Sequence, residues 1–206
     1  MASSSKRRER SRVLGPKSAV VKTRYKNMTT VEYLNTSETA SPQELIYGVL
    51  RAADAPAPSH QAAVGDLFLA LAMHVCGEQI GDMWLSPIDV ILDDERALVV
   101  QPDLLFISHE RSEIVGDRIR GAPDLVIEVL SPNPRIGHVD ERTAWFAQYG
   151  VRECWLLHQF ARRLEVLVFA SGRIVERRLF NQGDPIRSTV LPGFQRTLGS
   201  ILRWAS

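Results

Sequence analysis

Apolar side chains recur at Val64, Leu67, Phe68, Leu71 and Val75. That i, i+3, i+4, i+7 spacing sets them on one face of a helix beginning near His60. Ser59 is its expected N-cap and Gly77 its expected stop. Further on the period shortens. Residues 84–92 (WLSPIDVIL) and 97–108 (ALVVQPDLLFIS) read as strands separated by the turn-like Asp93-Asp94-Glu95-Arg96, with Pro87 and Pro102 at strand starts or edges. Residues 124–130 (DLVIEVL) are apolar enough to form a strand buried on both faces. Residues 140–149 read as a helix ended by Gly150, and 154–157, 164–169 and 174–180 as strands. A short helix is expected over 29–34, capped by Thr29 or Thr30, and another within 192–204. Residues 44–52 read as a strand with Gly48 at a turn or bulge, and 110–120 as charged loop or short helix. The alternation predicts one mixed α/β domain.

Composition narrows the class. Of 206 residues, 45% are apolar and 24% charged, which excludes fibrous and wholly disordered chains. Two cysteines, Cys76 and Cys154, make no disulfide framework, so a reducing cytoplasm is the expected setting. Residues 67–76 form the longest apolar stretch, far short of the roughly 20 residues of a membrane span, and no signal peptide is expected.

The net charge of +1 hides an asymmetry. Residues 1–27 hold nine basic residues and one acid, +8, which leaves −7 over 28–206. All four lysines lie in that first segment, so 28–206 contain none. Residues 1–27 read as a disordered basic extension, either an arm for nucleic acid or a run preceding a natural start at Met28. The folded domain is expected over 28–206.

Two acids stand inside apolar strands: Asp103 in Gln-Pro-Asp-Leu-Leu-Phe-Ile and Glu128 in Asp-Leu-Val-Ile-Glu-Val-Leu. A buried carboxylate is costly unless paired or metal-bound. Strand alternation puts Asp124, Val126, Glu128 and Leu130 on one face and Leu125, Ile127 and Val129 on the other. Acids on neighbouring strands can converge on one hard cation, and Mg²⁺ is commonly held by one or two carboxylates plus water. Asp124, beside Pro123 at the strand start, suits a solvated or salt-bridged acid and stands as an outlying candidate. No zinc-type Cys/His spacing and no glycine-rich phosphate loop occurs. Pro-Asp followed about two dozen residues later by an acid on a second strand is the outline of the PD-(D/E)xK nuclease site. Its lysine position, two residues past the acid, is Leu130 here.

The wider chain resembles the Uma-two family of restriction-endonuclease-like nucleases, a branch of that superfamily. The resemblance runs in order through Met-Thr-Thr-Val-Glu-Tyr-Leu (28–34), Glu-Leu-Ile-Tyr-Gly (44–48), Pro-Ser-His-Gln (58–61) and Gln-Pro-Asp-Leu-Leu-Phe-Ile (101–107). It continues through Gly-Ala-Pro-Asp-Leu-Val-Ile-Glu-Val-Leu-Ser-Pro (121–132), Phe-Ala-Gln-Tyr-Gly-Val-Arg-Glu-Cys-Trp-Leu (146–156) and Leu-Pro-Gly-Phe (191–194). It implies a central mixed sheet flanked by helices, in a restriction-endonuclease-like core. It implies Glu44 as an outlying acid, Asp103 and Glu128 as the site acids and metal ligands, and His60 at the start of the long helix. The family's basic residue is a lysine eight positions before the glycine of a Gly-Val pair, and Gly150 puts Arg142 there. Arg142 shares a helical face with Trp145, Phe146 and Tyr149. His138 and His158 stand where these sequences often carry Asp.

Glu44, Asp103, Glu128 and Arg142 are therefore the candidate catalytic set, with His60 and Asp124 as further candidates. The expected activity is Mg²⁺-dependent (or Mn²⁺-dependent) hydrolysis of DNA phosphodiester bonds, with Arg142 stabilising phosphate charge. Arginine stays charged and presents a planar fork, so it cannot act as a base. The alternative is an inactive nucleic-acid- or partner-binding module on the same fold. A homodimer is compatible with both, since two strand cuts need two sites.

Overall fold

Two sheets carry the molecule, and Glu44, Asp103, Glu128 and Arg142 fall where they meet. The structure, a computed structural model, describes residues 27–37, 41–52, 55–130 and 139–203. All but the last residue of the expected 1–27 extension lies outside the described residues, as do residues 131–138, His138 among them. The first half runs α1 (Thr30–Leu34), β1 (Gln43–Ile46), β2 (Val49–Ala52), α2 (Pro58–Glu78), β3 (Gly81–Leu85), β4 (Val90–Asp93), β5 (Leu98–Val100) and β6 (Leu104–Ser108). The second runs β7 (Ile119–Arg120), β8 (Leu125–Val129), α3 (Val139–Tyr149), β9 (Glu153–His158), β10 (Arg163–Ala170), β11 (Arg173–Asn181) and α4 (Leu198–Ile201).

The larger sheet has the order β11-β10-β9-β8-β6-β3, and the smaller β2-β1-β5-β4-β7. Both are mixed. β8 and β9 pair in parallel in one, β4 and β7 in the other, and the remaining named pairs are antiparallel. The parallel step from β8 to β9 is bridged by α3, the crossover that parallel strands require.

The alternation of β8 sets the layers. Leu125, Ile127 and Val129 pack on one side with Val64, Leu67, Leu71 and Val75 of α2 and with Trp155 and Leu157 of β9. Val126 packs on the other with Trp145 and Phe146 of α3 and with Val90, Leu98 and Val100 of the smaller sheet. The larger sheet is thus a middle layer, with α2 outside it and α3 and the smaller sheet behind it. On the outer side of the smaller sheet, Tyr33 of α1 closes a third cluster with Leu45, Ile91 and Val99.

Several boundaries differ from the expected ones, each for a local reason. Residues 84–92 and 97–108 are each cut in two at Pro87 and Pro102, which have no N–H for a ladder. The chain leaves one sheet and enters the other at these breaks. Residues 44–52 are a hairpin turning at Tyr47 and Gly48, both at positive φ (48° and 78°). α2 begins earlier than Ser59 predicts, because Pro58 is pre-set for a first helical position and Ala57 is the N-cap, with no side-chain hydrogen bond. It also runs through Gly77, and Gln79 takes the left-handed cap at φ 55°. The capping box at Thr29 and Glu32 matches the expected start of α1. Among the described residues no helix is long and apolar enough to cross a membrane.

Candidate active site

Four elements and one loop bring the candidate side chains together. Glu44 lies on β1 of the smaller sheet, with its residue only 1% exposed. Asp103 sits in the short link between β5 and β6, just after Pro102. Glu128 is the one polar residue of β8, on the face toward α3. Arg142 projects from α3, and His60 from the first turn of α2.

Arg142 is the centre of the arrangement. Its Nη1 donates to both Glu44 oxygens, at 2.9 Å to Oε1 and 2.7 Å to Oε2. Its Nε and Nη2 donate to Glu128 Oε1 at 3.0 and 2.6 Å. The Phe146 ring lies 5.7 Å from the guanidinium carbon, a second favourable contact for a buried cation. Four of the five N–H groups of the fork are thereby committed to carboxylates. Glu44 is held further by the Gln101 backbone N–H, which donates to Oε1 at 2.7 Å. That amide was not anticipated from the sequence, although it lies one residue before the Pro-Asp pair.

Asp103 is oriented by two groups. The Val129 N–H donates to Oδ2 at 2.7 Å, and His60 Nε2 lies 3.3 Å from the same oxygen. His60 Nδ1 is buried with no hydrogen-bond partner among the described residues. Burial alone would lower the His60 pKa, but the Asp103 hydrogen bond and charge outweigh it and hold the imidazole above its ordinary value.

One guanidinium cannot neutralise three carboxylates. Burial is the main force on Glu128; Arg142 opposes it, while the Asp103 and Glu44 charges add to it, and its pKa is pushed up to about 7. The Arg142 pKa is driven up in turn, because the attraction of Glu128 and Glu44 exceeds the burial penalty.

Asp124 does not join this group. It stands four residues before Glu128 at the other end of β8, roughly 13 Å away along the strand. Its fully buried carboxylate accepts from the Ser108 N–H at 2.8 Å and from Arg152 Nη1 at 3.0 Å. Burial would raise its pKa, but these bonds prevail and lower it. A lowered folded-state pKa gives stability that is present at neutral pH and lost as pH falls through the carboxylate range. Asp124→Ala should therefore cost about 2–3 kcal/mol by urea unfolding at pH 7, with a smaller deficit in acid. Leu130, at the usual lysine position, packs in the apolar layer beneath α3.

A mixed α/β core with acids gathered at the end of a parallel strand pair is the architecture of a restriction-endonuclease-like protein. The profile of the Uma2 family, described as "Putative restriction endonuclease", matches residues 30–199, and the chain belongs to that family. The structure is similar to the crystal structure of a putative nuclease belonging to DUF820 from Anabaena variabilis, with a TM-score of 0.70 and 18% sequence identity. The likeness covers 84% of this chain and 97% of that one. No curated protein matches the chain.

Proposed function

We propose that the protein is a divalent-cation-dependent endonuclease that hydrolyses DNA phosphodiester bonds in the cytoplasm. The observation that carries this reading is the convergence of Glu44, Asp103, Glu128 and Arg142. Family membership supports a nuclease role.

The donor set suits one hard cation. Both Arg142 bonds to Glu128 go to Oε1, and both contacts on Asp103 go to Oδ2. Among the described residues no donor reaches Glu128 Oε2 or Asp103 Oδ1. Two carboxylate oxygens completed by water are a usual Mg²⁺ environment, and Mn²⁺ accepts the same ligands. When bound, such an ion acidifies a water and neutralises charge on the phosphate.

The chain's own residues divide the remaining work. Asp103 and Glu128 would hold the cation. His60 and the Val129 N–H fix the Asp103 rotamer. Glu44, with both oxygens engaged, holds Arg142 rather than the ion. Arg142 fixes the Glu128 carboxylate and keeps a single N–H for a phosphate oxygen. Its expected part as a phosphate clamp thus becomes mainly the placing of the acids.

Cleavage of plasmid and single-stranded DNA should therefore appear with Mg²⁺ or Mn²⁺ and vanish in EDTA. Cleavage that persists in EDTA would refute the metal-dependent reading. The inactive binding module remains a second reading because a specific feature favours it. Arg142 already bridges two of the acids, and among the described residues no three His, Cys, Asp or Glu side chains are grouped to hold a metal. It predicts DNA binding with no cleavage under any of these conditions.

A further inference from the structure

An exposed turn lies past Glu128 along the sheet, outside the acidic site. β8 and β9 run parallel with Glu128 opposite Leu156. A residue two further on from Leu156 shares the Glu128 face. That residue is His158, and antiparallel β10 sets Arg163 directly opposite it. Both therefore stand on the Glu128 face of the sheet, one pleat beyond the acid.

The 3-10 turn Gln159–Ala161 joins these two residues and presents Phe160. At 70% exposure, Phe160 is the most exposed large apolar side chain among the described residues. The turn that carries it is well anchored. Gln159 is buried, its carbonyl accepts from the Arg162 N–H at 3.3 Å, and Arg162 closes the turn at φ 50°. No acid occurs in His-Gln-Phe-Ala-Arg-Arg (158–163), although residues 28–206 carry −7 overall. The next acid, Glu165, is already engaged by His158 at 3.5 Å and by Arg177.

We propose that this turn is a docking rim for single-stranded DNA, with Phe160 stacked on a nucleobase and Arg163 against a backbone phosphate. The proposal rests on the nuclease reading of the acidic site. From the register position of Glu128 to Phe160 is about 10 Å of chain, taking strand and 3-10 rises together. A few nucleotides of a single strand cover that span, so one strand can touch the rim and still reach the acids. An exposed ring needs an unstacked base, which a single strand offers and an intact duplex does not. A ring on an anchored turn loses little entropy on binding, and stacking tolerates any base.

The test is fluorescence anisotropy of a labelled oligo-dT strand with the full chain in EDTA, so that no cleavage intervenes. Phe160→Ala should weaken binding by about 5-fold or more. Phe160→Trp should keep the affinity and show quenching beyond that of the wild type. Arg163→Gln should reduce the steepness of the affinity-against-salt plot by about 0.7. Met73→Ala, which removes a comparably exposed side chain on α2, should change nothing. Equal binding by wild type and Phe160→Ala overturns the rim, and cleavage by the same wild-type preparation in Mg²⁺ shows that the nuclease reading survives it. Failure of the wild type to bind the strand also overturns the rim, and absence of cleavage then removes the nuclease reading with it.

Discussion

Glu128→Ala should abolish DNA cleavage. Loss of even an outer partner of a metal ligand costs roughly 10–100-fold, so loss of a ligand should exceed about 100-fold in rate. The measurement is nicking of supercoiled plasmid in Mg²⁺ by wild type beside Glu128→Ala and Glu128→Gln. Cleavage by either variant at the wild-type rate would remove Glu128 from the site. Removing Glu128 leaves Arg142 Nε and Nη2 without their acceptor. Urea unfolding of each variant therefore accompanies the assay, and a folded but inactive Glu128→Gln is the decisive result. Burial itself disfavours the charge of this acid. Its folded pKa is pushed up to about 7 from the usual 4.5, chiefly by burial. Between those values the unfolded carboxyl has lost its proton and the folded one keeps it. Stability contributed at this position thus falls as pH rises through that window, by about 3 kcal/mol in all. Glu128→Gln, measured in EDTA, should unfold with a flatter dependence on pH from 5 to 8 than wild type.

The elements that position this acid were legible because their patterns are local. The two-residue period of β8 puts Glu128 beside Val126 and opposite Leu125 and Ile127, and the layers divide them in that way. The apolar spacing of α2 places Val64, Leu67, Leu71 and Val75 in one cluster. The division into two sheets was not legible. Residues 97–108 are apolar on both sides of the break, and nothing local says that Val100 and Leu104 belong to different sheets. The division is made by long-range bonds, such as Gln101 donating to Asp89 at 2.9 Å and the Gln101 N–H donating to Glu44.

The same distinction runs through the site. Asp103 and Glu128 stood out because a lone acid in an apolar strand demands a partner. Glu44 and Arg142 entered only through the family resemblance, since 98 residues separate them along the chain. Asp124 looked alike in composition and proved to be tied to Ser108 and Arg152 at the far end of its strand. A buried acid signals a partner without naming it; an amide and an arginine satisfied one acid, and a buried guanidinium another.

Arg142→Met should be the most destabilising change at the site, at about 3–5 kcal/mol by urea unfolding at pH 8. The substitution removes four charge-assisted hydrogen bonds and leaves Glu44 and Glu128 buried without a counter-charge. Methionine fills part of the space but donates nothing. Without Arg142 to oppose burial, Glu128 prefers its protonated form in the folded state still more, so the deficit should shrink as pH is lowered toward 4. A deficit that stays constant with pH would mean that packing, not charge, is what Arg142 contributes. Arg142→Lys separates the two duties of the residue. A single ammonium cannot reproduce the planar fork that spans both acids, so this variant should also be less stable than wild type, by less than Arg142→Met. It nevertheless restores a compact cation able to approach a phosphate, and it should cleave DNA at least as fast as wild type. Cleavage confined to Arg142→Lys, with a silent wild type, would mean that the bridge between Glu44 and Glu128 has closed the site to chemistry. The fold would then serve DNA or a partner by binding alone.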